Sequence, residues 1–211
     1  MNCSVALAKD GKTILCKEMA EEGYSHAERL HVFIEEIIKE SRISFQEISA
    51  IAVSQGPGSY TGLRIGVSAA KGLCYALGIP LIALDTLQVL ASQAKVSSGL
   101  IIPMIDARRM EVYSAIFNPN FVKQRIVEAE IITENSFEDL QQTLYFVGDC
   151  AQKCIPVLIK ENFIFLEEIK YPSAKEMSFL SFEKYKNNDT VDVAYFEPCY
   201  LKDFMMTVSK K

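Results

Sequence analysis

Apolar and polar positions change period several times along the chain. Ser4–Ala8 reads as a strand, Asp10-Gly11 as a tight hairpin turn and Thr13–Cys16 as the returning strand. Ser25, with Glu28 three residues on, forms a capping box. Leu30, Phe33, Ile34, Ile37 and Ile38 then make a helical stripe that ends near Glu40. Ile48–Ser54 alternates too weakly for an exposed strand and predicts a buried, parallel one. It runs into Gln55–Gly62, and a second helix over about Gly62–Leu77 closes at Gly78 and Pro80. Leu81–Leu84 is a further buried strand, and Asp85-Thr86 caps a helix from Leu87 to about Lys95.

Lys95–Gly99, with Ser97-Ser98-Gly99, is the best boundary, and the pattern restarts after it. Strands are expected at Leu100–Ile105, Glu111–Phe117 and Val122–Val127, with turns at Asp106–Met110 and Asn118-Pro119-Asn120. A short helix fits Ser136–Gln142, a strand Leu144–Val147, a helix Gln152–Ile159 and a strand Phe163–Leu166. Ser173 and Glu176 cap a last helix to about Asn187. Both halves run from early antiparallel strands into alternating helices and strands. The reading is an α/β protein of two similar subdomains, residues 1–99 and 100–211.

Composition narrows the function. The chain has 211 residues, 22 Lys+Arg against 27 Asp+Glu, and 49% hydrophobic positions. That supports a full core and excludes a disordered chain. An autonomous nucleic-acid binder is normally basic, so a net charge of −5 argues against one. No apolar stretch approaches the length of a membrane span, and no targeting segment is visible. The two histidines, His26 and His31, are five apart, which places them about 140° apart on a helix. They cannot form the i, i+4 pair that holds a metal on one face. Six cysteines (Cys3, Cys16, Cys74, Cys150, Cys154, Cys199) include no C-x-x-C pair. They read as buried, reduced thiols of a cytoplasmic protein.

The most informative segment is Gly56, Pro57, Gly58, Ser59, Tyr60, Thr61 and Gly62, where a buried strand turns directly into a helix. Glycines permit close backbone approach, and N–H groups at a helix start suit an anion. Ser59 and Thr61 add hydroxyls and Arg64 a cation. The spacing matches no Walker A loop, common Rossmann loop or nucleophile elbow. Anion or nucleotide contact and a structural turn both remain open. Along the helix, Gly62, Gly66 and Ala70 recur at i+4 steps, and Gly66 and Gly72 imply close packing, against the chain's own sheet or a partner helix.

Ser54-Gln55-Gly56-Pro57-Gly58-Ser59-Tyr60-Thr61-Gly62-Leu63-Arg64-Ile65-Gly66 resembles the signature of the TsaB family, also called YeaZ. The likeness continues through Ala69-Ala70-Lys71-Gly72-Leu73, Gly78-Ile79-Pro80-Leu81, Asp85-Thr86-Leu87, Ile105–Tyr113 and Pro198-Cys199-Tyr200-Leu201-Lys202. The resemblance implies two actin/Hsp70-like (ribonuclease H-like, ASKHA) subdomains with mixed sheets. It also implies a non-catalytic activating or scaffold subunit in the bacterial synthesis of threonylcarbamoyl-adenosine beside the tRNA anticodon. Such a subunit pairs with its paralogue TsaD, acts with the ATPase TsaE, self-associates when alone and meets tRNA only through the complex. It carries no cofactor of its own; an ATP or ADP contact at the partner interface is the candidate exception. An autonomous ATPase or kinase on the same fold is the alternative.

The interface candidates are His26, Leu30, Phe33, Gly66, Ala69, Ala70 and Leu73 on the first two helices; the glycine loop with Arg64 is the second surface. Asp106 stands where a phosphate loop places an acid, but Arg108 and Arg109 equally suit a salt-bridged hairpin. Family members begin with an apolar strand and an acidic-Thr/Ser turn ahead of the segment matching Cys3–Leu7. In this fold that strand lies between the Ser4–Ala8 and Ile48–Ser54 strands. The expectation is therefore either a mis-called start codon or a first sheet with a visible gap.

Overall fold

The computed structural model describes residues 2–20 and 26–201. The opening hairpin pairs β1 (Asn2–Lys9) antiparallel with β2 (Lys12–Ala20). Asp10 and Gly11 take positive φ at its tip, as the Asp-Gly pair suggests. Helix α1 (His26–Ser41) buries Phe33 and Ile37 from the apolar stripe. The Ser25 cap and the His26 and Glu28 side chains lie outside the described residues. A 3₁₀ turn, Phe45–Glu47, leads into β3 (Ile51–Gly56), then α2 (Tyr60–Leu77), which Gly78 closes in a left-handed cap. β4 (Leu81–Asp85) is buried throughout and pairs parallel with β3. α3 (Thr86–Ala91) follows at once.

The second half is one five-stranded sheet in the order β7-β6-β5-β8-β9. Its strands are β5 (Leu100–Asp106), β6 (Glu111–Phe117), β7 (Lys123–Ile131), β8 (Leu144–Val147) and β9 (Phe163–Phe165). β6 runs antiparallel to both β5 and β7, while β5, β8 and β9 run parallel. The sheet is mixed. α4 (Ala151–Cys154) follows β8, and α5 (Ala174–Lys186), capped by the Ser173 hydroxyl, ends the half. α5 lies beyond residue 99 yet packs on β1, β2 and β4. Its Met177 and Leu180 meet Ile82 and Leu84, and Val191 bridges to Leu81. No helix of the described residues is long and apolar enough to cross a membrane.

Several elements differ from the sequence expectation. Ser136–Gln142 is a run of turns, not a helix: Phe137 takes a positive φ and the Ser136 hydroxyl accepts from Thr133 N–H. α4 ends at Cys154, because Pro156 disfavours helical backbone before it. α3 stops at Ala91, where the Ser92 hydroxyl turns back to donate to Val89 O. β7 continues past Val127 to Ile131, with Glu130 held by Arg125.

The first sheet is in two pieces. Among the described residues β1 pairs only with β2 and β3 only with β4, so each of these strands has one edge without a strand partner. Every residue of β3 before Gly56 is half-buried, whereas β4 beside it is fully buried. A strand covered by helices on both faces is normally buried throughout. Half-exposure of β3, and of β1 from Asn2 to Leu7, is what an open flank produces.

Candidate functional site

The glycine loop lies where β3 turns into α2, and its geometry is set by three attachments. Gly56 takes φ +116° and faces the Cys199 carbonyl; a Cβ there would sit 2.6 Å from that oxygen. Only glycine fits this close approach. Cys199 N–H donates to Gln55 O at 2.7 Å, tying the far end of the chain to the end of β3. Gly56 N–H donates to the Thr86 hydroxyl at 3.1 Å, and that hydroxyl also meets Ser54 Oγ. Ser59 is the α2 N-cap and accepts from Gly62 N–H at 3.3 Å. The loop is thus fixed to both the start of α3 and the C-terminal segment.

Arg64 lies one turn into α2. Its guanidinium sits 4.1 Å from the Tyr60 ring centroid, and its Nε donates to the Tyr200 hydroxyl at 3.2 Å. Tyr60 and Tyr200 approach to 4.8 Å between centroids. The hydrogen bond to Tyr200 raises the guanidinium's pKa further. The cation expected to meet a ligand is engaged within the chain, as is the Ser59 hydroxyl. Pro57 is buried, Gly58 half-buried and Thr61 exposed.

The proposed interface residues divide. Ala70 is 5% exposed and packs with Cys74 and Leu81 in the chain's own core. Phe33 is buried as well. A Cβ on Gly66 would meet Val53 at 3.9 Å, so that position faces β3. Gly66 and Ala70 thus lie toward the chain's own sheet, with Ala70 and Phe33 buried and Gly66 half-buried. Leu30, Ala69 and Leu73 are half-buried, and His26 opens α1. The open side of α2 carries Thr61, Gly62, Arg64, Ser68, Gly72 and Tyr75, with Tyr75 87% exposed and nothing within 4 Å of a Cβ on Gly72.

Two further polar clusters join elements. Asp85 is nearly buried; its carboxylate accepts from Leu87 N–H at 2.8 Å and pairs with Lys123 at the start of β7. With Gln88 Nε2 donating to Phe121 O, it fastens the start of α3 to the turn before β7. Asp106 pairs with Lys153, not with Arg108 or Arg109, and Lys153 also donates to the Arg109 and Glu111 carbonyls. Arg108 and Arg109 both take positive φ and stay exposed. The Lys153 link and the Asp85–Lys123 pair escaped the sequence reading, because each joins residues 38 or more positions apart.

Burial raises the thiols: Cys150 is pushed up strongly, and Cys154 to about 11. Among the described residues no three His, Cys, Asp or Glu side chains group as a metal site.

A family model described as "TsaD: tRNA N6-adenosine threonylcarbamoyltransferase" matches residues 20–196. The protein named "tRNA threonylcarbamoyladenosine biosynthesis protein TsaB" from Escherichia coli (strain K12) is 32% identical, covering 95% of this chain and 90% of that protein. Its namesake from Bacillus subtilis (strain 168) is 30% identical over 94% of this chain and 88% of that protein. The solved structure of YeaZ from Pseudomonas aeruginosa superposes with a TM-score of 0.78 at 23% identity, covering 95% of this chain and 94% of that one. The likeness spans both sheets, the glycine loop and the helices between them, and the chain belongs to the TsaB (YeaZ) family, within the group that the TsaD family model describes.

Proposed function

We propose that the protein acts in the synthesis of threonylcarbamoyl-adenosine in tRNA as a non-catalytic activating subunit, pairing with a TsaD-type transferase and working with the ATPase TsaE. The observation that carries this reading is the nearly full-length likeness to proteins named TsaB. The non-catalytic role is supported by the sequence itself. Two histidines five apart cannot make the i, i+4 pair that holds a metal on one helix face. The loop's cap hydroxyl and cation are spent on internal contacts, which suits a rigid docking element better than a phosphate clamp.

Pairing uses the open side of α2. Tyr75, Arg64 and the adjoining Tyr200 are the residue types that dominate interface energetics, and Gly72 leaves room for a partner backbone. Self-association in the absence of the transferase uses the same surface. The chain sits in the cytoplasm and meets tRNA only within the complex. Reconstitution tests the reading: purified protein with and without the TsaD-type paralogue, TsaE, ATP, bicarbonate, threonine and tRNA. Modification that requires both proteins supports it. Turnover by this chain alone supports an autonomous ATPase or kinase instead.

A further inference from the structure

Residues 191–200 form a strap that returns onto the first half and is held unevenly. Val191 N–H donates to Leu81 O at 2.9 Å, and Val191, Val193 and Phe196 pack with Ala70, Cys74 and Leu81. Asp192 folds the next residues into one turn. Its carboxylate accepts from Ala194 N–H at 2.7 Å and Tyr195 N–H at 3.0 Å, and its carbonyl accepts from Phe196 N–H at 2.9 Å. Beyond Phe196 the attachments are lighter: Cys199 N–H meets Gln55 O, and Tyr200 meets Tyr60 and Arg64.

Lys71 stands where the firm part of the strap passes into the light part. It is half-buried, and its Nζ donates to Ala194 O and Phe196 O, both at 3.0 Å. Hydrogen bonds from a charged donor are about twice as strong as neutral ones. Lys71 and Arg64 are two turns apart on one side of α2, about 10 Å along its axis. The strap covers that span between Phe196 and Tyr200 with four residues, whose extended reach is about 13 Å. It has little slack, so a shift at Phe196 carries to Tyr200.

We propose that Lys71 is a positioning residue for the pairing surface: by holding the turn at 192–196 it sets Cys199 over Gly56 and Tyr200 on Arg64. The inference rests on the pairing reading given above, because Arg64 and Tyr200 belong to that surface. Lys71 acts on the partner through Tyr200.

Two measurements on the full chain test it. The first needs no partner: amide exchange of Cys199 and Val191 by NMR in the parent, Lys71→Met and Lys71→Arg. Methionine keeps the apolar stem and removes the donor. Exchange at Cys199 should rise about tenfold, as expected when one hydrogen-bonded anchor is lost, while Val191, anchored upstream, keeps its rate. Arginine still donates and should restore Cys199. An unchanged Cys199 rate overturns the proposal. Equal acceleration at Val191 means a general loss of stability and overturns it as well. The second is a double-mutant cycle for pairing with the TsaD-type transferase, using Lys71→Met, Tyr200→Ala and both together. Each single change should weaken pairing about tenfold, and the double variant should lose no more than either. Additive losses, or a Lys71→Met variant that pairs like the parent, overturn the proposal. A parent chain that fails to pair refutes the pairing reading and, with it, the role of this surface; the exchange rates distinguish that failure from a strap that Lys71 does not hold.

Discussion

Gly56→Ala tests the account of the loop in the most quantitative way. The backbone at this position has φ +116°, which side chains rarely adopt. Holding alanine there costs about 1–3 kcal/mol. The new Cβ would also stand 2.6 Å from Cys199 O, closer than such atoms come. The C-terminal segment must move to relieve it. It then gives up the Cys199 to Gln55 hydrogen bond and the tilted ring contact of Tyr200 with Tyr60, each worth about 0.5–1.5 kcal/mol. The sum is about 2–6 kcal/mol. With a urea slope of about 1–3 kcal/mol/M, the unfolding midpoint falls by about 2 M. The sequence has nine tyrosines and no tryptophan, so tyrosine emission follows the transition without interference. Gly72→Ala is the matched control: it lies on α2 with nothing within 4 Å of its Cβ. It should raise stability by about 0.5–1 kcal/mol through helix propensity. Equal effects of the two substitutions, or a Gly56→Ala protein within about 0.5 kcal/mol of the parent, would refute the argument that Cys199 closes the loop.

Lys123→Met leaves the nearly buried Asp85 carboxylate with only its α3 N–H donors and should cost about 1–3 kcal/mol in urea unfolding, whereas Lys12→Met on the exposed hairpin should cost little. Ala70→Glu should fail to fold, because it places a charge in the core beside Cys74 and Leu81; Gly72→Leu should leave circular dichroism unchanged and reduce pairing with the TsaD-type partner measured by light scattering. The Cys150 and Cys154 thiols have raised pKa values, so the native state keeps protons that the unfolded state releases near pH 8.5–9. Their contribution is complete below that range and is lost as pH rises toward 11, at up to about 1.4 kcal/mol per pH unit for each thiol. Urea midpoints at pH 8 and pH 10 check the sign, and Cys150→Ala with Cys154→Ala should flatten the slope. Iodoacetamide at pH 8 should label exposed Cys199 in the native protein and spare these two.

The parts of the fold that depend on local pattern were legible in the sequence. Asp10-Gly11 named its turn, Ser173 its cap and Gly78 its helix end, because each acts within a few residues. Ser136–Gln142 misled for the same reason: its composition suits a helix, while the Phe137 backbone and the Ser136 side chain do not allow one. The row of small residues on α2 was visible, but period alone cannot tell which side the sheet occupies. Ala70 and Gly66 turn inward and Gly72 outward because β3 and β4 lie under the first two. The return of residues 174–201 onto the first half was invisible in element order. It decides how the loop is closed, since Cys199 and Tyr200 lie more than 130 positions from the groups they bind.

Under the proposed function this chain activates a partner and does no chemistry itself. Its most direct test is the initial rate of threonylcarbamoylation of tRNA, with TsaE, ATP, bicarbonate and threonine constant, as this protein is titrated into a fixed amount of the TsaD-type transferase. The account predicts no product without the transferase and a rate that rises to saturation near equimolar protein. It also predicts that Gly72→Leu shifts the saturation to higher concentration. A rate independent of this protein, or product formed by it alone, would contradict the claim.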